Sequence, residues 1–271
     1  MTDNHPFDRA TALTRSGDGT LNGTTSPDYS NIAGPFGGVT AAALLRAVLE
    51  HDDRAGDPVS LTVNFCGAMP AGDFVITPKL QRTGKYTQHW SLELAREGTV
   101  FTTASVVCGR RASVFSHQPD AMPSAPEPAS CPSLPTAGRM NWLQRYDFRF
   151  AEGAPAYAGE PFSEPASARS VMWVSDLPER PLDYLSLAAL SDTFILRLVH
   201  VRGTLAPMGT VSLTTYFHAT TDELADQGSA PLLGVANGKR FHANFHDQDM
   251  ELWGANSTLL ASGTQIVWYK E

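Results

Sequence analysis

Val59-Ser60-Leu61-Thr62-Val63-Asn64-Phe65 and Val211-Ser212-Leu213-Thr214-Thr215-Tyr216-Phe217 share five of seven residues at an offset of 152. A match this short arises by chance, so the flanks decide whether one unit is written twice. Upstream, Leu44-Leu45-Arg46-Ala47-Val48 matches Ile195-Leu196-Arg197-Leu198-Val199 at an offset of 151, each closing a helical stretch. Downstream, Gly84-Lys85 and Gly238-Lys239 each read as a hairpin turn, at an offset of 154. LELAREGTVFTTASVVCG, from Leu92, then matches MELWGANSTLLASGTQIVWY, from Met250, at an offset of about 158. The offset grows only where loops can lengthen, so the chain reads as a duplication.

Each copy reads as a helix, a long strand, a hairpin and two more strands. The first helix is expected from about Gly38 to His51, after Gly34-Pro35-Phe36-Gly37-Gly38. The second is expected from about Leu182 to His200, after Pro181. Between residues 185 and 199 only Ser186, Ser191, Asp192, Thr193 and Arg197 are polar. A helix apolar on nearly every face belongs in the centre of a domain. The strands, rich in Val, Thr, Phe and Tyr, alternate as half-buried antiparallel strands do. The expected class is α+β, two tandem units in which an antiparallel β-sheet wraps a central helix. Residues 1–111 and 139–271 form these units. A Pro/Ser/Ala-rich linker without regular structure, 112–138, joins them. A strand over Trp142–Phe150 opens the second unit, and Ala151–Ala168 is expected to be irregular.

The length of 271 residues fits two domains, and 42% hydrophobic residues supply their cores. Twenty Lys and Arg against 28 Asp and Glu argue against nucleic acid or an anionic membrane surface as the main partner. No apolar run approaches the ~18 residues of a membrane span, and the N-terminus reads as no signal peptide. Cys66, Cys108 and Cys131 show no CxxC spacing and read as reduced thiols of a cytoplasmic protein. Cys66 and Cys108, in apolar strand-like runs, are expected as small core residues. His242 and His246 lie four apart in a strand-like region, so no metal site is expected. Glycine-rich phosphate loops and the GxSxG elbow of serine hydrolases are absent from the sequence.

Tandem units of this kind resemble the double hotdog fold of acyl-CoA thioesterase II and its thioesterase-like relatives, over nearly the whole chain. GPFGG is similar to that family's helix start, and PVSLTVNFCGAMPAGD to its central strand and following turn. Family members carry an Asp on the second hotdog helix, a Thr or Ser on the next strand and a Gln on the last. LAALSDTFILRL, GTVSLTTYFH and LLASGTQIVWYK place Asp192, Thr210 and Gln265 at those positions. The resemblance implies an acyl-CoA thioesterase that forms free acid and CoA without a cofactor. It also implies a cytoplasmic enzyme of lipid metabolism, assembled as a homo-oligomer such as a dimer of double hotdogs.

Thioester hydrolysis needs a water in line with the carbonyl, a base, and donors for the developing oxyanion. The leaving thiolate, with a pKa of about 8–9 by analogy with Cys, departs without a covalent nucleophile. Asp192 stands among apolar neighbours, where a carboxylate is costly unless partnered. Arg197, five residues on, is out of register for a helical ion pair. Asp192 is therefore expected as general base, with Thr210 and Gln265 orienting water and carbonyl. The repeat offsets map these three onto Ala41, Pro58 and Val106, which implies one site per chain. Phe36, Gly37 and Gly38 are expected to bind substrate, the glycines through backbone N–H groups. Arg82, Lys85, Arg110 and Arg111 are expected to meet the CoA phosphates. The alternatives are a non-catalytic acyl-CoA or lipid-binding hotdog protein and a hotdog hydratase, which needs a His paired with the Asp.

Overall fold

In the computed structural model, which describes residues 5–112, 114–155 and 167–270, the two repeated segments are neighbouring strands at the middle of one sheet. The first half runs α1 (Pro6–Ala10), β1 (Thr14–Arg15), β2 (Leu21–Thr24), β3 (Ser30–Asn31), β4 (Gly34–Pro35) and α2 (Gly37–Leu49). It continues with β5 (Asp57–Phe65), β6 (Asp73–Thr83), β7 (Thr87–Arg96) and β8 (Thr99–Gly109). The second half runs β9 (Tyr146–Glu152), β10 (Ser170–Asp176), α3 (Tyr184–Leu190), α4 (Arg197–Arg202), β11 (Met208–Phe217) and α5 (Thr221–Gln227). It ends with β12 (Leu232–Asn237), β13 (Phe241–His242), β14 (Phe245–Trp253) and β15 (Leu259–Tyr269).

The sheet order is β1-β2-β6-β7-β8-β5-β11-β15-β14-β12-β10-β9, with β13 beside β14. Outward from the β5–β11 seam the two halves repeat the same sequence of strands, all antiparallel. Their irregularities repeat too. β5 bulges against β8 between Pro58 and Ser60, and β11 against β15 between Thr210 and Ser212. The bulges at Leu94/Ala95 and Leu252/Trp253 correspond in the same way. Leu61 pairs with Val106 and Leu213 with Gln265, so register itself makes Val106 the counterpart of Gln265.

β6 and β14 alternate buried and exposed residues over much of their length, as strands with one wet face do. Against the inner face lie α2, whose Ala41, Ala42, Leu44 and Leu45 are fully buried, and α3, buried at every residue. No helix among the described residues is long and apolar enough to cross a membrane.

The helix expected over 182–200 is instead two helices. Asp183 caps α3 by accepting the Ser186 N–H at 2.8 Å. At its other end the Ser191 hydroxyl donates to the Leu187 carbonyl and the Thr193 hydroxyl to the Leu190 carbonyl. The Asp192 and Thr193 N–H groups bond three residues back, tightening the last turn. Hydroxyls that take up helix carbonyls this way favour a stop. The chain is extended again at Leu196 before α4 begins. Asp192 therefore sits at a helix break, not in mid-helix.

Smaller expectations are corrected or filled in. Gly84-Lys85 lies in the β6–β7 turn, but Gly238-Lys239 does not form the matching tip. That tip is Ala243-Asn244, both at positive φ, while Lys239 and Arg240 donate backbone N–H groups to the Asp247 carboxylate. The 112–138 segment is extended yet seated: Met122, Ala125 and Cys131 pack with Trp173 and Trp253, and the Trp173 indole donates to the Pro126 carbonyl. Cys66 is exposed, whereas Cys108 and Cys131 are buried. Asn141–Arg145 form a 3-10 turn, so the strand starts at Tyr146. Of Ala151–Ala168, β9 takes the first two residues, and 156–166 lie outside the described residues.

Candidate active site

α2 starts at Gly37 after Phe36, which offers no side-chain cap to the open N–H groups of the first turn. Asp192 approaches that helix start from the other half of the chain, its carboxylate set against Gly37. A Cβ on Gly37 would stand 2.6 Å from Asp192 Oδ2 and 3.1 Å from Phe65 Cζ, so glycine is what admits the carboxylate. Asp192 is 9% exposed. Burial pushes its carboxyl up to about 7, with the Gly38 N–H pulling the other way. Arg197 does not hold it down: its Nε donates to Gln248 Oε1 at 3.0 Å and its Nη1 to Ser170 Oγ at 2.7 Å.

Thr210 stands at the β11 bulge, a device that re-aims a side chain. Its hydroxyl donates to Gln265 Oε1 at 2.7 Å. Gln265 is 2% exposed, and its Nε2 finds no partner among the described residues. Asn64 pairs with Ser212, so Phe65 falls opposite the Thr210–Ser212 bulge while its ring lies on Gly37. Phe65 thus links the Thr210–Gln265 pair to the helix start where Asp192 sits. Thr210 and Gln265 are in direct contact; Asp192 meets Gly37 and Gly38, with no hydrogen bond to the pair among the described residues.

Other expected binding residues lie elsewhere. Phe36 is buried in the core, stacked on Trp142 at 4.3 Å. Arg82, Lys85, Arg110 and Arg111 gather where Gly109 pairs with both Asp57 and Thr87. That is the far end of β5, about 26 Å from Phe65 at 3.3 Å per residue. Arg111 donates there to the carbonyls of Pro58 and Phe217. Lys239, Arg240 and Lys270 are exposed cations at the Thr210 end, Lys239 in an ion pair with Asp249. His242 and His246 occupy the β13–β14 hairpin, and no metal-binding group of side chains occurs among the described residues. Phe65 and Gln248 were not singled out from sequence. Gln248 had a signal: His246, Gln248, Met250 and Leu252 share one face, and a glutamine there interrupts an inward row.

Two family models match the chain. Residues 25–109 match the acyl-CoA thioesterase N-terminal domain and residues 119–269 the acyl-CoA thioesterase C-terminal domain. Among solved structures, a conserved protein of unknown function with hot dog fold from Alicyclobacillus acidocaldarius is 40% identical, with a TM-score of 0.93 and 99% of each chain covered. An acyl-CoA thioesterase II from Mycobacterium marinum shares the fold at 18% identity and a TM-score of 0.76, over 98% of this chain and 97% of that one. No functionally curated protein matches the chain.

Proposed function

The chain belongs to the acyl-CoA thioesterase family, and from that premise we propose that it hydrolyses an acyl-CoA to free acid and CoA, with Asp192 as general base. The observation that carries this reading is the Asp192 carboxyl, buried at a helix N-terminus and pushed up to about 7, where a base works best near neutral pH. Asp192 takes a proton from a water whose oxygen bonds to the thioester carbon. Gln265, its oxygen held by Thr210, presents its Nε2 to the carbonyl oxygen as that oxygen gains charge. When the C–S bond breaks, the CoA thiolate takes the proton back from Asp192. On this reading Lys239, Arg240 and Lys270 replace the four expected cations as partners for the CoA phosphates.

The same proposal keeps residues 1–111 and 139–271 as two units of one subunit, and the free thiols fit a cytoplasmic enzyme of lipid metabolism. Association with further copies is supported by Phe245 and Trp268, cross-strand partners exposed on the outer face of β14 and β15. Sedimentation velocity reads that state.

The test is an acyl-CoA series from C2 to C18 with detection of free thiol. Turnover by the wild type, reduced about 10²–10⁴-fold in Asp192→Asn, is expected. Acyl-CoA should still raise the melting temperature of that variant, since a ligand of the native state stabilises it. Unchanged turnover in a folded Asp192→Asn variant would remove Asp192 as base. Binding without wild-type turnover would make the protein a non-catalytic acyl-CoA binder.

A further inference from the structure

Gln248 has no part in the mechanism above, yet it lies directly across from Gln265 on β14 and is 0% exposed. Cross-strand partners have β-carbons about 5 Å apart and share a face. Gln248 Oε1 accepts from Arg197 Nε at 3.0 Å. A guanidinium only donates, so this bond fixes which way the amide points and turns Nε2 away from Arg197. That Nε2 is buried and finds no partner among the described residues, as is true of Gln265 Nε2. Two adjacent buried amides thus have their oxygens engaged, by Thr210 and by Arg197, and their NH₂ groups open.

The first copy shows what the same positions do without a site. Strand register puts Trp90 where the second copy has Gln248, Gln88 where it has His246, and Val106 where it has Gln265. Gln88 Oε1 accepts from the Trp90 indole and from the Ala55 N–H, at 2.8 and 3.0 Å. Its Nε2 donates to the Asp53 carbonyl and to Thr83. That amide is satisfied on both ends. His246 makes no rival donor: with Nδ1 facing the Asp247 carbonyl and so donating, its Nε2 is left as an acceptor.

We propose that Gln248 is a second amide donor of the active site, binding the thioester carbonyl oxygen together with Gln265. The proposal rests on the hydrolase reading and extends it. A carbonyl oxygen has two lone pairs and accepts from both amides. As water adds, its π bond becomes a C–O⁻ bond and both hydrogen bonds strengthen; on collapse the C=O reforms as the C–S bond breaks. Arg197 is the positioning residue, and its charge on Oε1 polarises the amide and makes Nε2 a stronger donor.

Gln248→Glu and Gln248→Met test it in the full chain. Glutamate retains an oxygen for Arg197, forms an ion pair with it and keeps the volume, but offers no NH₂. Its melting temperature should equal or exceed that of the wild type. Both variants should lose about 10²–10³-fold in kcat on the best substrate of the C2–C18 series, with KM little changed. A folded Gln248→Glu variant with wild-type kcat would show a mere buttress of Arg197 and overturn the proposal. A second readout does not need turnover: the infrared stretch of a ¹³C-labelled thioester carbonyl, bound to Asp192→Asn. It should lie lower there than in the Asp192→Asn, Gln248→Met double variant. If the wild type hydrolyses no acyl-CoA, the hydrolase reading fails and this stretch alone decides. A shift lost with Gln248→Met supports the donor role; an unmoved stretch, or no bound acyl-CoA, overturns it.

Discussion

The Thr62 and Thr214 hydroxyls lie 3.0 Å apart across the β5–β11 seam, and each residue is the other's counterpart in the repeat. In an antiparallel pair of equivalent strands, only residues on a local two-fold axis face their own counterparts. The axis relating the halves therefore passes between these two threonines, and the flanking pairs are reciprocal: Leu61 with Thr215, Val63 with Leu213. Each end of the seam is then a copy of the other. One end holds Phe65, Thr210 and Gln265. At the other, Pro58 and Val106 replace the last two, and Arg111 closes on the Pro58 and Phe217 carbonyls.

The paired hydroxyls predict a non-additive effect. Thr62→Val and Thr214→Val each leave one hydroxyl without its partner and should destabilise by about 0.5–1.5 kcal/mol. The double variant should cost less than the sum of the two, because it removes both groups. Urea denaturation of all four proteins measures the coupling, and strict additivity would show that the contact contributes nothing.

Asp192 makes stability depend on pH. An Asp in the unfolded chain titrates near 3.9, whereas Asp192 in the fold is pushed up to about 7 by burial. Between those values the folded state holds a proton that the unfolded chain has released, so stability falls as pH rises from about 4 to about 7. An asparagine side chain in its place does not titrate and carries no such burden. Asp192→Asn should therefore match the wild type near pH 4 and exceed it by up to about 4 kcal/mol above pH 7. Asp176, also pushed up to about 7 by burial, adds a slope of the same sign to both proteins and cancels in the comparison. A difference independent of pH would mean that Asp192 is not buried as a proton-holding group.

The same ionisation should govern the rate. A base must be unprotonated, so kcat/KM for an acyl-CoA should rise about tenfold per pH unit below about 7 and level off above it. A profile flat from pH 5 to pH 8 would contradict Asp192 as base.

How far the chain could be read from sequence depended on where each signal lives. β5 and β11 were legible because their segments match and alternate; Asp192, Thr210 and Gln265 were candidates from a family pattern, and of these the structure joins Thr210 and Gln265. The helix break was not, because Ser191 and Thr193 stop a helix only when their hydroxyls turn back onto Leu187 and Leu190. The second hairpin tip misled because Ala243 and Asn244 adopt positive φ without a glycine, while a Gly-Lys pair five residues earlier looked like the turn. Gln248 gains meaning only from its pairing with Gln265, a fact of register. Surface cations carry no direction in sequence: which end of β5 they occupy needs the sheet.

Gly37 and Gly38 are adjacent, yet alanine should act differently at each. On Gly37 the new Cβ would press on Asp192 Oδ2 and the Phe65 ring, both side chains that can move. Gly37→Ala should thus fold, helped by better helix propensity, and lose turnover by displacing the carboxylate. On Gly38 the Cβ would stand 2.6 Å from the Ala189 carbonyl, which is backbone of the packed α3. Gly38→Ala should lower the melting temperature by several degrees, as a loss of about 1 kcal/mol or more does. Thermal melts and initial rates on the two variants separate the cases. Equal effects on both observables would show that the glycines serve packing alone.

The two ends of the seam give the last prediction. Arg82 and Lys85 sit by the β6–β7 turn, at the Pro58 end, while Arg240 and Lys270 stand at the Thr210 end. If the CoA phosphates lie at the Thr210 end, removing a cation there should raise KM with little change in kcat, since the contact is equally strong in ground and transition states. Arg240→Ala and Lys270→Ala should each raise KM several-fold, and the effect should shrink as salt screens the charge. Arg82→Ala and Lys85→Ala should leave KM unchanged. Arg111→Ala should lower the melting temperature without altering KM, because its guanidinium joins two backbone carbonyls across the seam. Initial rates over a range of acyl-CoA concentrations, at low and high salt, measure all five. A KM raised by Arg82→Ala or Lys85→Ala, and not by Arg240→Ala or Lys270→Ala, would put the CoA at the Pro58 end. Asp192 would then be too distant to activate the attacking water.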